Sequence, residues 1–270
     1  MAARRELLSR RAVKPLTFRI EAELNPRLHL LAPLLIALCP PVLRAAAPND
    51  IPVEARAEGG TAEEIKAPDF VPGESWRFTE LEGYSRLELR TWRVEVVSSN
   101  RGETRFSVAG GRPGAEDARE ARIYSAAGVL ETGRLNDAVF GSFRPGLQLL
   151  SFPLAEGKTW SQSVRRTDPS TGTERTVTLR GKVIGWETVK VPAGEFRALK
   201  VERAMTLGNH GTFRTETRRV EYEWYVPELK SAARIEIWEE YFDPTVPRIL
   251  RYLLRDKRYL DLVSFEPRPS

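Results

Sequence analysis

The sequence predicts an all-β fold made of antiparallel strands. Apolar and polar residues alternate with a period of two from Trp76 onward, a pattern typical of strands with one packed face. A turn motif that ends in a tryptophan occurs twice and opens two runs of this alternation. We expect one β domain over residues 71–266, a curved antiparallel sheet forming a β-sandwich or half-barrel, or two tandem meanders with the second from about residue 148. A short C-terminal helix should follow Pro247, and residues 267–270 form a tail.

The repeated turn motif is the strongest local feature. Its first copy is Val71-Pro72-Gly73-Glu74-Ser75-Trp76, and its second is Phe152-Pro153-Leu154-Ala155-Glu156-Gly157-Lys158-Thr159-Trp160. In both copies a proline and a glycine turn the chain, a hydroxyl residue follows, and the tryptophan begins a strand. Strand tryptophans usually bury a large apolar area, although a ligand platform is the alternative. We therefore predict that Trp76 and Trp160 are core residues, each anchoring one half of the domain.

The first run of alternation has one irregularity and several turns. Trp76 and Phe78 share a face. Leu87 and Leu89 follow on one parity and Trp92, Val94 and Val96 fall on the other, which indicates a bulge or bend near Arg90. Residues 98–102 predict a turn into a return strand. The glycine-rich stretch 109–120 predicts a loop, residues 121–125 a short strand, and 136–146 an irregular segment.

The second run contains the clearest strand, at residues 214–226. Its turns are predicted at 168–172 and 192–196, on either side of a segment that leads to Trp186. In the clearest strand, Val220, Tyr222, Trp224 and Val226 share the face predicted to pack, and Thr215, Thr217, Arg219, Glu221 and Glu223 share the face predicted to meet solvent. Helical spacing at 249–254 and a closing strand at 259–265 complete the domain. The predicted core residues are Trp76, Trp160, Trp186, Val220, Tyr222 and Trp224.

Residues 1–47 have the layout of a secretory signal peptide. A basic segment precedes the apolar run 28–38, and Ala45-Ala46-Ala47 supply small residues at the exit. The run is too short for a helix that crosses a bilayer, so no integral membrane span is expected in the mature chain. Two alternatives are a twin-arginine signal at 9–14 and a lipid anchor on Cys39. The predicted location is the periplasm or the extracellular space, with residues 48–70 as a flexible tether.

The charge of the chain argues against a nucleic-acid partner. The net charge of +5 comes from residues 1–47, which hold eight basic and three acidic residues and leave 34 of each in the other 223 residues. Nucleic-acid affinity requires an uncompensated basic surface, which an overall balance does not supply.

The sequence offers few of the residues that catalytic and metal sites require. Cys39 and His29 lie in the leader, which leaves His210 as the one histidine of the β domain. Neither a thiolate metal site nor a histidine-based nucleophile can be assembled from that set. No pair of carboxylates stands out as a glycosidase pair, because Glu221 and Glu223 fall on a strand face where ion pairs are the simpler explanation. We predict no catalytic residue, no metal ligand and no cofactor.

Three stretches resemble one family. They are Gly73-Glu74-Ser75-Trp76, the second turn motif at 152–160, and Val189 to Phe196 followed by Tyr225-Val226-Pro227-Glu228. Over residues 70–266 the chain resembles the exported β-rich proteins of the domain-of-unknown-function family 3108 and its TapB-like relatives. The resemblance implies export and a curved antiparallel sheet, and it transfers no catalytic residue. Pro247 to Lys257 departs from the family pattern.

Together these observations predict an exported cell-envelope β protein that binds an apolar ligand or a lipid without catalysis. The alternatives are a module that binds another envelope protein and a hydrolase that uses carboxylates. A large apolar cavity would favour the first prediction, and a filled core with an exposed edge strand would favour the second.

Overall fold

The computed structural model describes residues 63–100, 102–111, 118–135, 139–210, 214–247, 249 and 253–268. These residues belong to one compact unit, Ala57–Ser270. The predicted signal peptide at 1–47, with its alternatives at 9–14 and Cys39, lies outside the described residues, as does the predicted tether up to residue 62.

The described residues form twelve antiparallel strands that close into a barrel in chain order, with the last strand paired to the first. The strands are β1 (Ser75–Glu82), β2 (Glu88–Asn100), β3 (Glu103–Gly111), β4 (Ala118–Ala126), β5 (Val129–Leu135), β6 (Val139–Gln148), β7 (Thr159–Thr167), β8 (Glu174–Val191), β9 (Gly194–His210), β10 (Arg214–Val226), β11 (Ser231–Phe242) and β12 (Leu254–Glu266). A 3-10 turn, Pro227–Leu229, links β10 to β11.

The predicted β-sandwich or half-barrel is wrong, because the sheet closes on itself. Closure is made by β12, whose residues pair with β1 from Ser75↔Glu266 to Glu82↔Arg258. Alternation within one strand carries no information about which distant strand it meets, so the sequence could not show this pairing. The predicted C-terminal helix is wrong as well. No α-helix occurs among the described residues, and β12 begins at Leu254, which pairs with Tyr241. Four apolar residues are too few to hold a helix against a sheet partner.

Two tryptophans fill the space left by inward-facing glycines. A Cβ added to Gly110 would lie 2.1 Å from the ring of Trp92, and one added to Gly181 would lie 2.1 Å from the ring of Trp160. Each ring therefore lies flat against the backbone of a neighbouring strand, which only glycine permits.

Among the described residues, the β6–β7 seam is one of the two shortest of the barrel, with β4–β5. Only three residue pairs join β6 and β7, from Ser142↔Thr167 to Arg144↔Arg165. Beyond these three pairs, the side chain of Gln162 takes the place of backbone hydrogen bonds between the two strands. Its Nε2 donates to the Gly146 carbonyl, and its Oε1 accepts from the Gln148 backbone amide, both at 2.8 Å. The seam is thus closed by a side chain along part of its length.

A bulge in β8 turns the end of the longest hairpin against the outside of the barrel. The register shifts between Val183 and Gly185, so that residues 187, 189 and 191 change faces. Val189 and Val191 then pack in one cluster with Trp224 and Val226, and the Ala193 amide donates to the Leu262 carbonyl at 3.0 Å. The outer face of β10 is therefore covered by this hairpin at Trp224 and Val226.

The segment before β1 runs across one end of the barrel. Ile65 exchanges two backbone hydrogen bonds of 2.8 Å with Leu154, and Phe70 packs on Trp76 and Phe106. Residues 63–70 belong to the predicted tether, yet they lie in contact with the barrel. We call residues 63–70 the cover segment.

Candidate ligand-binding site

A cavity of about 190 Å³ lies inside the barrel beneath the cover segment. Its upper part is lined by aromatic side chains, among them Phe70, Trp76, Phe78, Phe106 and Tyr124. Its lower part, farther from the cover segment, is lined by charged side chains of the strands, among them Glu80, Arg203 and Glu221. An apolar chamber that ends on a few convergent polar groups is the usual form of a small-molecule site.

The aromatic part of the cavity has fixed geometry. The Phe70 ring meets Trp76 and Phe106 edge to face, with centroids 6.1 and 5.1 Å apart, and the Phe106 ring meets Tyr124 edge to face at 5.4 Å. The Trp76 indole nitrogen donates to the Leu229 carbonyl at 2.8 Å, which fixes the orientation of its ring. Because these rings hold one another in place, the chamber needs little reorganisation to receive a ligand.

Charged side chains form one side of the interior, across β9, β10, β11, β12, β1 and β2. Each acid is ion-paired with at least one arginine of the same strand or of a neighbouring one, and Asp256 also pairs with Arg214 two strands away. We call this set the charged wall; its members are Arg203, Glu221, Glu223, Arg219, Glu239, Arg214, Asp256, Arg258, Glu80 and Arg90.

The ion pairs of the charged wall are short, and neighbouring pairs share side chains. The Arg203 guanidinium donates to Glu221 at 2.8 Å and also to Glu223. Arg219, which is 1% exposed, donates to Glu221 at 3.1 Å and to Glu239. Because Glu221 serves two arginines and Arg219 serves two glutamates, the loss of one member leaves others unpaired.

Two glutamates of the charged wall, Glu221 and Glu239, remain ionised. Burial alone would raise the pKa of Glu239, but the guanidinium groups of Arg219, Arg258 and Arg214 outweigh it and hold the pKa below its ordinary value. Burial also opposes ionisation of Glu221, and Arg203 and Arg219 lower its pKa in the same way. A general acid needs a raised pKa, so these two carboxylates are unsuited to the hydrolase alternative.

A smaller charged group lies on the opposite side of the cavity, on β4 and β5. Arg122 and Arg134 share one carboxylate, that of Glu120, with Nε to oxygen distances of 3.4 and 2.8 Å. Both arginines line the cavity. This side therefore carries one more positive than negative charge.

Two tyrosines complete the polar part of the cavity. Burial raises the pKa of Tyr124 and of Tyr225, so both phenols stay protonated and can donate a hydrogen bond. Tyr225 is 2% exposed and lines the cavity. Its O–H can therefore donate to a molecule in the cavity.

The predicted core residues fall on both faces of the barrel. Trp76 lies inside at the cavity, and Trp160 lies inside with its indole nitrogen 2.9 Å from the Gln148 carbonyl. Trp186 is partly buried, with the Arg197 guanidinium 3.8 Å from its ring centroid. Val220 and Tyr222 face outward on β10 and are partly buried.

Trp224 also faces outward, yet the β8–β9 hairpin buries it. Its indole nitrogen donates to Glu187 at 2.9 Å, and the Lys200 ammonium lies 4.8 Å from its ring centroid. The structure thus brings only Trp76, of the six predicted core residues, to the lining of the cavity.

The two faces of β10 are the reverse of those predicted from its alternation. Thr217, Arg219, Glu221 and Glu223 were predicted to meet solvent, and all four are buried inside the barrel. The cavity residues Arg203, Tyr225 and Arg122 were not predicted at all. One clue was present: Arg203 on β9 and Glu221 on β10 stand at positions that could pair across a hairpin, and they do pair in register.

Two further findings concern the described residues as a group. They hold no cluster of three or more His, Cys, Asp or Glu side chains that could bind a metal ion. Within the same residues, no helix is long and apolar enough to cross a membrane.

Comparisons with known proteins give weak likenesses only. No protein-family model matches the chain, and no curated protein matches it. Three solved structures resemble it.

An exported protein with a YmcC-like fold from Bacteroides fragilis NCTC 9343 is 13% identical, with a TM-score of 0.48 over 76% of this chain and 100% of that one. A protein described as a lipoprotein from Parabacteroides distasonis ATCC 8503 is 13% identical, with a TM-score of 0.44 over 73% of this chain and 96% of that one. YmcC from Escherichia coli K12, described as a hypothetical lipoprotein, is 8% identical, with a TM-score of 0.32 over 74% and 87%. At this level of similarity the likenesses carry no argument about function.

Proposed function

We propose that the barrel binds one small amphiphilic molecule in its cavity, as an exported, non-enzymatic protein of the cell envelope. The observation that carries this proposal is the continuity of the chamber, in which an aromatic upper part leads directly to charged and hydroxyl groups. A molecule with an apolar body and one polar end matches both parts at once. Apolar burial supplies the affinity, and the polar groups fix the orientation.

The size of the cavity narrows the class of ligand. Its volume of about 190 Å³ is below the roughly 300–1,000 Å³ of a typical drug-sized site. A compact molecule such as a substituted ring fits this volume. For a lipid, only the end of one chain would enter.

Export rests on the leader pattern at residues 1–47, as the location in the periplasm or the extracellular space does. Membership of the domain-of-unknown-function family 3108 remains a prediction from the turn motifs. Among the alternatives, binding of an envelope protein by strand addition has less support. Each of the twelve described strands already pairs with two neighbours, which leaves no strand of the barrel with a wholly free edge.

Binding of indole tests the proposal, because indole is a neutral, compact ring with a single donor. We expect the 270-residue chain to bind one indole, as measured by isothermal titration calorimetry. Val94 lines the cavity, so Val94→Phe should fill part of the chamber and weaken indole binding about tenfold or more, about 1.4 kcal/mol.

Val97 provides the matched control on the same strand. Its side chain is 57% exposed, so Val97→Phe adds the same bulk outside the barrel and should leave indole binding unchanged. Equal weakening by both substitutions, or no indole binding by the unchanged chain, would refute a binding site inside the barrel.

A further inference from the structure

The balance between positive and negative side chains differs between the two sides of the cavity. The charged wall contains five arginines and five carboxylates among the described residues, so its formal charge is zero. Balance is expected there, because an unpaired buried charge is strongly destabilising.

The group of Arg122, Arg134 and Glu120 departs from this balance. Two guanidinium groups share one carboxylate, and the side chain of Arg122 is only 14% exposed. Its ion pair with Glu120 is long, at 3.4 Å and through Nε. The two terminal nitrogens of Arg122 donate to no carboxylate among the described residues. A planar anion could accept from both of them at once.

Neutral hydroxyl donors lie beside this guanidinium. Tyr124 follows Arg122 by two residues on β4 and lines the same cavity; its hydroxyl is hydrogen-bonded to the Arg122 side chain, and it interacts electrostatically with Arg203 and Glu223. Tyr225 lines the same cavity and interacts electrostatically with Glu223 in turn. Donors from both sides therefore converge on the chamber, whereas its carboxylates are already engaged by arginines.

We infer that the ligand is a monoanion, whose carboxylate is bound by Arg122 while its apolar body lies among Phe70, Trp76 and Phe106. This inference rests on the proposed function and names the chemical class of its ligand. One negative charge neutralises the excess of the Arg122 side. A cation would instead compete with Arg203 for Glu223.

Three molecules of nearly equal shape separate the possible charges: benzoate, benzamide and benzamidine are an anion, a neutral molecule and a cation at pH 7. We expect benzoate to bind about tenfold or more tightly than benzamide, as a hydrogen bond to a charged group would give. Benzamidine should bind more weakly than benzamide. Calorimetric titration of the 270-residue chain measures all three.

Substitution of Arg122 tests whether this guanidinium sets the preference. In Arg122→Gln, benzoate and benzamide should bind equally, and benzamide should bind as it does to the unchanged chain. Retained benzamide binding also shows that the variant is folded. Arg105→Gln is the matched control, because Arg105 is a 52% exposed arginine on the adjacent strand β3, paired with Glu103; it should keep the full preference. If Arg122→Gln does not fold, Arg134→Gln removes the same excess charge from the more exposed position.

The outcomes separate the inference from the function on which it rests. If indole and benzamide bind but benzoate shows no advantage, or if the advantage survives in both arginine variants, the monoanion inference is wrong and the cavity still binds ligands. Tightest binding by benzamidine would likewise overturn the inference. If none of the four molecules binds, the proposed function fails as well.

Discussion

The interior of the barrel has two sides, one filled by apolar side chains and the other by paired charged side chains. On β5 to β9 nine inward apolar side chains pack into one buried cluster: Leu130, Leu135, Phe143, Leu147, Val164, Val177, Leu179, Met205 and Leu207. Arg166 on β7 is a buried exception on this side. On β9 to β12, β1 and β2, the inward positions carry the charged wall instead. Both sides are buried, so burial alone does not distinguish them.

The difference shows that the two sides depend on their members in different ways. In the apolar cluster each side chain contributes through its own contacts, and the loss of one leaves a cavity whose cost depends on its volume. In the charged wall each side chain is ion-paired with other members. The loss of one therefore leaves buried charges without a partner and without access to water. The wall should therefore be more sensitive to substitution and to pH than the apolar cluster.

The largest effect is expected from Arg219→Met, which removes the arginine that joins Glu221 to Glu239. Methionine keeps much of the volume but leaves two buried carboxylates short of a partner. We expect a loss of about 3–5 kcal/mol in the free energy of unfolding, measured by urea denaturation. Arg218→Met is the control, because Arg218 is the exposed neighbour on the outer face of β10, and its loss should be within about 0.5 kcal/mol.

Equal stability of the two variants would mean that the charged wall is not a coupled buried network. A gain in stability for Arg219→Met would mean that the free-energy cost of removing these ions from water exceeds the attraction between them.

A smaller effect, specific to the charged wall, is expected on lowering the pH. The pKa values of Glu221 and Glu239 lie below their ordinary value of 4.5 in the folded chain. Their contribution to stability is therefore complete above pH 4.5 and is lost as the pH falls through their folded pKa values, since the unfolded chain binds protons first.

The apolar cluster provides the comparison for this pH dependence. Denaturation between pH 7 and pH 3 should show the difference in free energy between the unchanged chain and Glu239→Gln shrinking toward acid. The corresponding difference for Leu179→Ala, whose side chain lies in the apolar cluster, should stay constant. Parallel pH profiles for both variants would contradict the assignment of the acid-sensitive stability to the charged wall.

The same comparison explains what the sequence could and could not predict. Alternation in β10 correctly shows that Arg219, Glu221 and Glu223 share one face. It does not show which face is inside, and the rule that polar faces meet solvent gave the wrong choice. The rule failed because the bulge at Gly185 turns the β8–β9 hairpin against the outside, where Val189 and Val191 cover Trp224. That cover and the β1–β12 closure depend on residues far apart in the chain.

The turns were easier to predict, because their chemistry is local. At 168–172, Asp168 accepts hydrogen bonds from the Ser170 amide and hydroxyl, and Gly172 has a φ of +68°, as a hairpin turn with these residues requires. The cavity could not be predicted in this way. Its polar end combines Arg122 from β4, Arg203 from β9 and Tyr225 from β10, and no spacing within one segment relates them.

The smallest effect is expected from an ion pair that shares a strand with the charged wall but lies outside the barrel. Arg255 precedes Arg258 by three residues on β12 and therefore points the other way, and its Nε lies 3.0 Å from Glu240 with side chains 66% and 40% exposed. Water and salt screen this pair, and ordering two long side chains offsets most of the attraction. We expect Arg255→Gln to cost less than about 0.5 kcal/mol, and a double-mutant cycle with Glu240→Gln to give a coupling that vanishes at high salt. The same cycle on Arg258 and Glu80, which are 10% and 1% exposed, should give a larger coupling that salt barely changes. If the two cycles agree in size and salt dependence, burial is not what separates the charged wall from the surface pairs, and the contrast between the two sides of the barrel loses its physical basis.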